Sequence, residues 1–216
     1  MDLRKPALAA LACAVLMAGC ATATPPLAPV LEYARQDCEA LPDLSTALSL
    51  TPEKETNGYT VATTIGPQTP CLIRAGGTSP YVVYALPTDL GDKTLAVGGM
   101  LESRRIMSAD VSVLDASGQV TRTFTPSDYF YRGPVYSVQF KPREGDAFVL
   151  VASDASRVGR RYDAIAVGTN TTTVSTGYAT ANFTTGVESS TSRIFSHEGT
   201  VQVIVYDTDT KEDGSR

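Results

Sequence analysis

The chain has 216 residues, with 18 Lys and Arg against 23 Asp and Glu, a net charge of −5 and no tryptophan. That length suits one domain with a sizeable core. The acidic balance argues against nucleic acid as a partner, since the sequence offers no basic patch to neutralise phosphates.

The N-terminus carries the most specific signal. Arg4 and Lys5 precede an apolar run from Ala7 to Leu16, and Ala18 and Gly19 are small residues placed just before Cys20. A cationic start, a short apolar core and a small-residue cleavage site make an export signal. A cysteine directly after the cleavage site predicts a bacterial lipoprotein: residues 1–19 are removed and Cys20 receives diacylglycerol, with a further acyl chain (palmitate class) on its new amine. The apolar run is too short for a permanent membrane helix, which needs about 20 residues. Met17 stands where leucine is most usual, with Leu16 one place early, and soluble export is the alternative. Several acyl chains hold a protein on a membrane where a single chain does not. Ala21 rather than aspartate after the cysteine predicts an outer-membrane location facing the periplasm.

Cleavage of nineteen residues leaves 197 and removes one acid and two bases, so the balance moves from −5 to −6. Cys13 leaves with the signal and Cys20 carries lipid, so Cys38 and Cys71 remain. Outside the cytoplasm two leftover thiols are expected to bridge. Such a bridge would tie the segment 30–57 to the body of the domain. Two cysteines and one histidine do not make a closed zinc site, and the sequence predicts no metal and no cofactor.

Residues 20–29, with Pro25, Pro26 and Pro29, form an extended tether. Apolar residues at helical spacing from Val30 to Cys38 predict a short helix. From residue 58 to 207 the texture is that of strands. Tyr59–Ile65, Cys71–Arg74, Tyr81–Leu86, Lys93–Val97, Arg105–Asp115, Gln119–Thr125, Val135–Lys141, Phe148–Ala152 and Val201–Tyr206 are β-branched or alternating runs bounded by Gly, Pro or Asp. Ala116-Ser117-Gly118 is a hairpin turn, and Gly76-Gly77 and Gly98-Gly99 are read as turn glycines. Strands at this spacing predict an all-β fold, an antiparallel β-sandwich or jelly roll with one short N-terminal helix. The Thr/Ser-rich stretch 169–192 reads as a long loop, with an edge hairpin as the alternative. Its two Asn-x-Thr matches carry no information behind a bacterial signal. Residues 208–216 form a charged tail.

Catalytic parts are missing. His197, the single histidine, stands beside Glu198, but no G-x-S-x-G elbow or cysteine nucleophile accompanies it. Placed just before a strand opened by Gly199, it reads as a turn or edge residue. Asp207-Thr208-Asp209 with Asp213-Gly214 hints at a calcium loop, but Lys211 falls where an oxygen ligand is needed and no Glu closes the frame. The sequence therefore predicts a binding protein rather than an enzyme. The candidate contact surface is Tyr129-Phe130-Tyr131-Arg132, between Pro126 and Gly133-Pro134. Consecutive aromatics on a strand cannot all face one core, and exposed tyrosines beside an arginine can stack on sugars or anchor a protein. The alternative has Tyr129 and Tyr131 in the core and Phe130 capping the turn.

Ser79–Leu95, Val111–Asp115, Phe124–Tyr131, Phe148–Asp154 and His197–Val203, in that order, resemble the maltose-operon periplasmic protein family (MalM) over residues 40–206. The resemblance implies a β-rich envelope protein linked to maltodextrin handling, with no catalytic residues to carry over. A lipid anchor departs from a freely soluble periplasmic member. Two partner classes follow: an oligosaccharide, in an accessory role in carbohydrate uptake, or another envelope protein, in a structural or assembly role.

Overall fold

In a computed structural model, which describes residues 25–54, 56–175 and 180–208, the chain is built from strands. After one 3-10 turn at Leu44–Thr46, in which the Asp43 carboxylate accepts from the Ser45 N–H, they run β1 (Leu48–Ser49), β2 (Gly58–Ile65), β3 (Cys71–Arg74), β4 (Gly77–Ala85), β5 (Lys93–Met100), β6 (Arg105–Met107), β7 (Ala109–Asp115), β8 (Val120–Thr123), β9 (Phe130–Arg132), β10 (Val135–Phe140), β11 (Asp146–Ser153), β12 (Arg161–Ser175), β13 (Thr180–Ser196) and β14 (Gly199–Asp207). Two sheets carry the core: β1-β4-β11-β7-β8, with β3 also paired to β4, and β2-β14-β5-β10-β9. Their inner faces meet through Val82, Tyr84, Val111, Val113, Val149 and Val151 on one side and Leu95, Val97, Val138, Phe140, Val201 and Val203 on the other. This is the expected all-β sandwich.

β4 is buried along most of its length because the first sheet is covered on both faces. Tyr81 and Val83 point away from the main core into a second cluster with Leu72, Leu114 and Leu150, closed by Leu44 and Ala47 of the N-terminal segment. The Tyr81 hydroxyl donates to Glu39 at 3.0 Å and accepts from the Asp43 N–H at 2.9 Å. A Cys38–Cys71 disulfide fastens this cover to β3, and Glu39 exchanges backbone bonds with Cys71 and Ile73 beside it.

Three expectations are corrected. Val30–Cys38 is an extended strap rather than a helix. Its backbone finds partners on the sandwich: Val30 N–H donates to Ser196 Oγ, Val30 O accepts from the His197 N–H, and Tyr33 O accepts from Thr78 Oγ1. Nine residues make a marginal helix on their own, so these tertiary bonds decide the conformation. Gly98 and Gly99 lie inside β5 rather than in a turn. A Cβ on Gly98 would sit 2.0 Å from Tyr136 O, and one on Gly99 2.1 Å from Met107 O. These glycines let neighbouring backbone approach closely. The Thr/Ser-rich stretch is the β12–β13 ribbon rather than a loop, paired from Arg161↔Ile194 to Ser175↔Thr180. Its root joins β6 through parallel pairing of β13 at Ile194–Ser196. Cys20, the signal and residues 209–216 lie outside the described residues.

Candidate functional site

Tyr129-Phe130-Tyr131-Arg132 is divided by the fold. Tyr129 is a core residue, 5% exposed, and its hydroxyl accepts the Val111 N–H at 2.9 Å. Burial pushes its phenol up to about 12. It is removed from any contact surface. Phe130 and Tyr131, at 58% and 47% exposure, stand on β9, the outermost strand of the second sheet. Arg132, half-buried, donates to Ser137 O at 2.5 Å across the β9–β10 pair and lies 5.5 Å from the Phe130 ring centroid. Its guanidinium therefore braces the edge strand and flanks the exposed ring.

Tyr131 is the outer end of an aromatic series that starts in the core, while the ring of Phe130, its neighbour on the strand, meets Arg132 instead. Tyr129 stacks on Tyr136 at 5.6 Å, Tyr136 meets Tyr162 at 5.4 Å and Phe195 at 5.5 Å, and Tyr162 meets Tyr131 at 6.3 Å. Arg157, itself buried, places its guanidinium 4.5 Å from the Tyr129 ring and donates to Asp154 at 2.7 Å. Tyr162 belongs to β12 and Phe195 to β13. The series thus joins the β9 edge to the root of the long ribbon. Neither Tyr162 nor Phe195 was marked by sequence, because the contacts that recruit them come from strands far apart in the chain.

His197 lies in the turn before β14, as its position implies, yet it is 5% exposed beneath the strap. Its Nδ1 is 2.8 Å from Ser153 Oγ, and Tyr33 covers its ring at 5.7 Å. Burial lowers the imidazole pKa below 6.5. Ser153 is 1% exposed, so this Ser–His pair meets no solvent-borne substrate and serves as packing. The sulfurs of Cys38 and Cys71, which lie near Asp37, are spent in the disulfide. Asp207 pairs with the near-buried Lys93 at 2.5 Å, while Asp209 and Asp213 fall outside the described residues.

An open cleft of about 530 Å³ lies between the β4–β5 and β10–β11 connections, lined by Leu86, Pro87, Leu90, Pro142, Glu144 and Asp146 among others. Asp146 is saturated within the fold, accepting from Thr121 Oγ1, Arg122 and the Arg143 N–H.

No family model, curated protein or solved structure matches this chain. The case for a function therefore rests on the chain's own chemistry. What the β9 edge offers is stacking area, one braced cation and unpaired strand backbone; it holds no nucleophile or general base.

Proposed function

We propose that the protein is a non-catalytic binding lipoprotein of the bacterial envelope, held to the outer membrane through acylated Cys20 and facing the periplasm. On this reading the contact surface is the β9 edge, and the partner is another envelope protein. The observation that carries it is the exposed Tyr131, mounted on an edge strand and backed by packed aromatics, with exposed Phe130 beside it. Rigid aromatic anchors of this kind dominate protein interfaces. A sugar platform fits less well, because Tyr131 and Tyr162 are tilted by 41° rather than coplanar and the chain has no tryptophan. The role in carbohydrate uptake implied by the maltose-operon likeness is the second outcome of the test.

Two measurements test the reading. Metabolic labelling with an alkyne-bearing palmitate should mark the wild type and not Cys20→Ser; an unlabelled wild type defeats the anchor. In cells, a photo-crosslinker at Phe130 should give one dominant adduct with an envelope protein, lost in Tyr131→Ala and Arg132→Ala variants that melt like the wild type. Millimolar maltodextrin that raises the melting temperature, with no adduct formed, would transfer the surface to sugar binding.

A further inference from the structure

β12 and β13 pair over fifteen register positions, about 50 Å of ribbon at 3.3 Å per residue. β12 lies at the end of its sheet, and among the described residues no strand other than β13 pairs with it. An isolated two-stranded ribbon is marginal in water. A long open edge is also a template for further pairing, which proteins blunt with charge, proline, bulges or short strands. In β12 the only charges, Arg161 and Asp163, stand at the root, and none of these devices is present beyond them. The pairing runs in continuous register without a bulge, and from Ala164 to Val187 the sequence holds no Asp, Glu, Lys, Arg, His or Pro. Two other end strands carry such a device: β8, whose pairing with β7 has a register shift, and β9, which has only three residues.

We infer that the outer edge of β12, the side away from β13, pairs antiparallel with β12 of a second copy, joining two ribbons into one four-stranded sheet about a two-fold axis. The occupant follows from length and charge. A second β12 matches the edge in length, and two-fold antiparallel pairing is self-complementary, so it closes at a dimer. From Ala164 to Ser175 the edge has no charge and offers no attraction to a charged foreign strand. Each copy carries a net charge of −5, or −6 after removal of residues 1–19, which opposes direct contact between two bodies. Antiparallel pairing places the two ribbon roots at Arg161 at opposite ends of the shared strands, about 50 Å apart. The Debye length is about 8 Å at physiological salt, so the bodies do not repel at that distance. The inference is independent of the β9 contact surface.

The test uses the full chain with Cys20→Ser, which keeps lipid out of the measurement, in sedimentation equilibrium up to about 100 µM. A species of twice the monomer mass is expected. The pair Val167→Lys with Thr169→Lys, near the middle of the edge, sets like charges against each other and should weaken dimerisation at least about tenfold. Val167→Glu with Thr169→Glu should do the same, and mixing the two variants should restore a heterodimer. That rescue shows that each ribbon still forms. A wild type monomeric throughout, a dimer indifferent to all four substitutions, or two monomeric variants that do not combine would overturn the proposal. So would a monomer that floats with phosphatidylethanolamine–phosphatidylglycerol vesicles through residues 164–187, which would assign the ribbon to lipid.

Discussion

Removing the Cys38–Cys71 crosslink probes what the N-terminal cover does for the fold. The bridge joins residues 33 apart, and the chain-entropy relation gives about 3.7 kcal/mol at 25 °C for a loop of that size. The loop contains β1 and β2 as well as the residues that close the Leu72–Tyr81–Leu150 cluster, so its loss loosens an entire layer rather than a surface tether. For a domain of this size each kcal/mol moves the midpoint by roughly 2–4 °C, and the expected fall is roughly 7–15 °C. Cys38→Ala with Cys71→Ala, melted by circular dichroism, reads this directly. Because Cys71 is 2% exposed, the substitution also trims a packed side chain. Reduction of the wild type by a phosphine reductant isolates the crosslink from that packing loss. Coincident melts of oxidised and reduced protein would refute the reasoning and leave the hydrogen-bonded strap as the real fastening.

Three further predictions come from single contacts. Gly98→Ala and Gly99→Ala each drive a methyl group into a backbone oxygen that cannot rotate away; a loss of about 3 kcal/mol or more is expected in urea unfolding, and neutral substitution would mean that β5 sits elsewhere. Tyr129→Phe strands the buried Val111 N–H and should cost about 1–3 kcal/mol, whereas Phe130→Ser on the exposed edge should change stability by less than about 0.5 kcal/mol. His197 has its pKa lowered by burial from 6.5, so the unfolded chain binds a proton that the folded chain resists. Its contribution is intact above pH 6.5 and is lost as the pH falls through the folded value. Stability measured from pH 7.5 down to 4.5 should show this component, and His197→Asn should remove it; an unchanged profile would place the acid sensitivity elsewhere.

The strands were legible because β-branched and aromatic runs end at turn formers. Cys71–Arg74 has the same bounds in sequence and structure, and the Ala116–Gly118 turn is held by the Asp115 carboxylate, which accepts from the Ser117 and Gln119 N–H groups. The strap was misread for a definite reason: apolar spacing at Val30–Cys38 suits a helix, but spacing carries no information about Ser196, His197 and Thr78, which bind that backbone. The ribbon was ambiguous because Thr and Ser serve loops and solvated strands equally, and alternation is weak where large side chains are as few as Tyr178 and Phe183. Of the proposed contact surface, sequence supplied Phe130, Tyr131 and Arg132. For Tyr129 the sequence left the surface and the core both open, the core reading pairing it with Tyr131; the structure buries Tyr129 under Val111 and leaves Tyr131 exposed. The Ser153–His197 pair spans 44 residues with no local signature.

The strap, the ribbon root and the tether converge on one place. Val30 is bonded to Ser196 and His197, and Ala28 O accepts from Arg105 at 3.4 Å, so the described chain begins where β13 meets β6. From Cys20 to Val30 the chain spans at most about 36 Å when fully extended. On the lipoprotein reading, the ribbon root is therefore held within that distance of the bilayer. Tyr131 of β9 is joined to the same root through Tyr162. Confinement to a layer so thin raises the effective concentration of one β12 edge for another far above its bulk value. On that reading, an edge that dimerises in solution would pair more fully once anchored, which gives the charge-free stretch from Ala164 to Val187 a use that depends on where Cys20 is delivered.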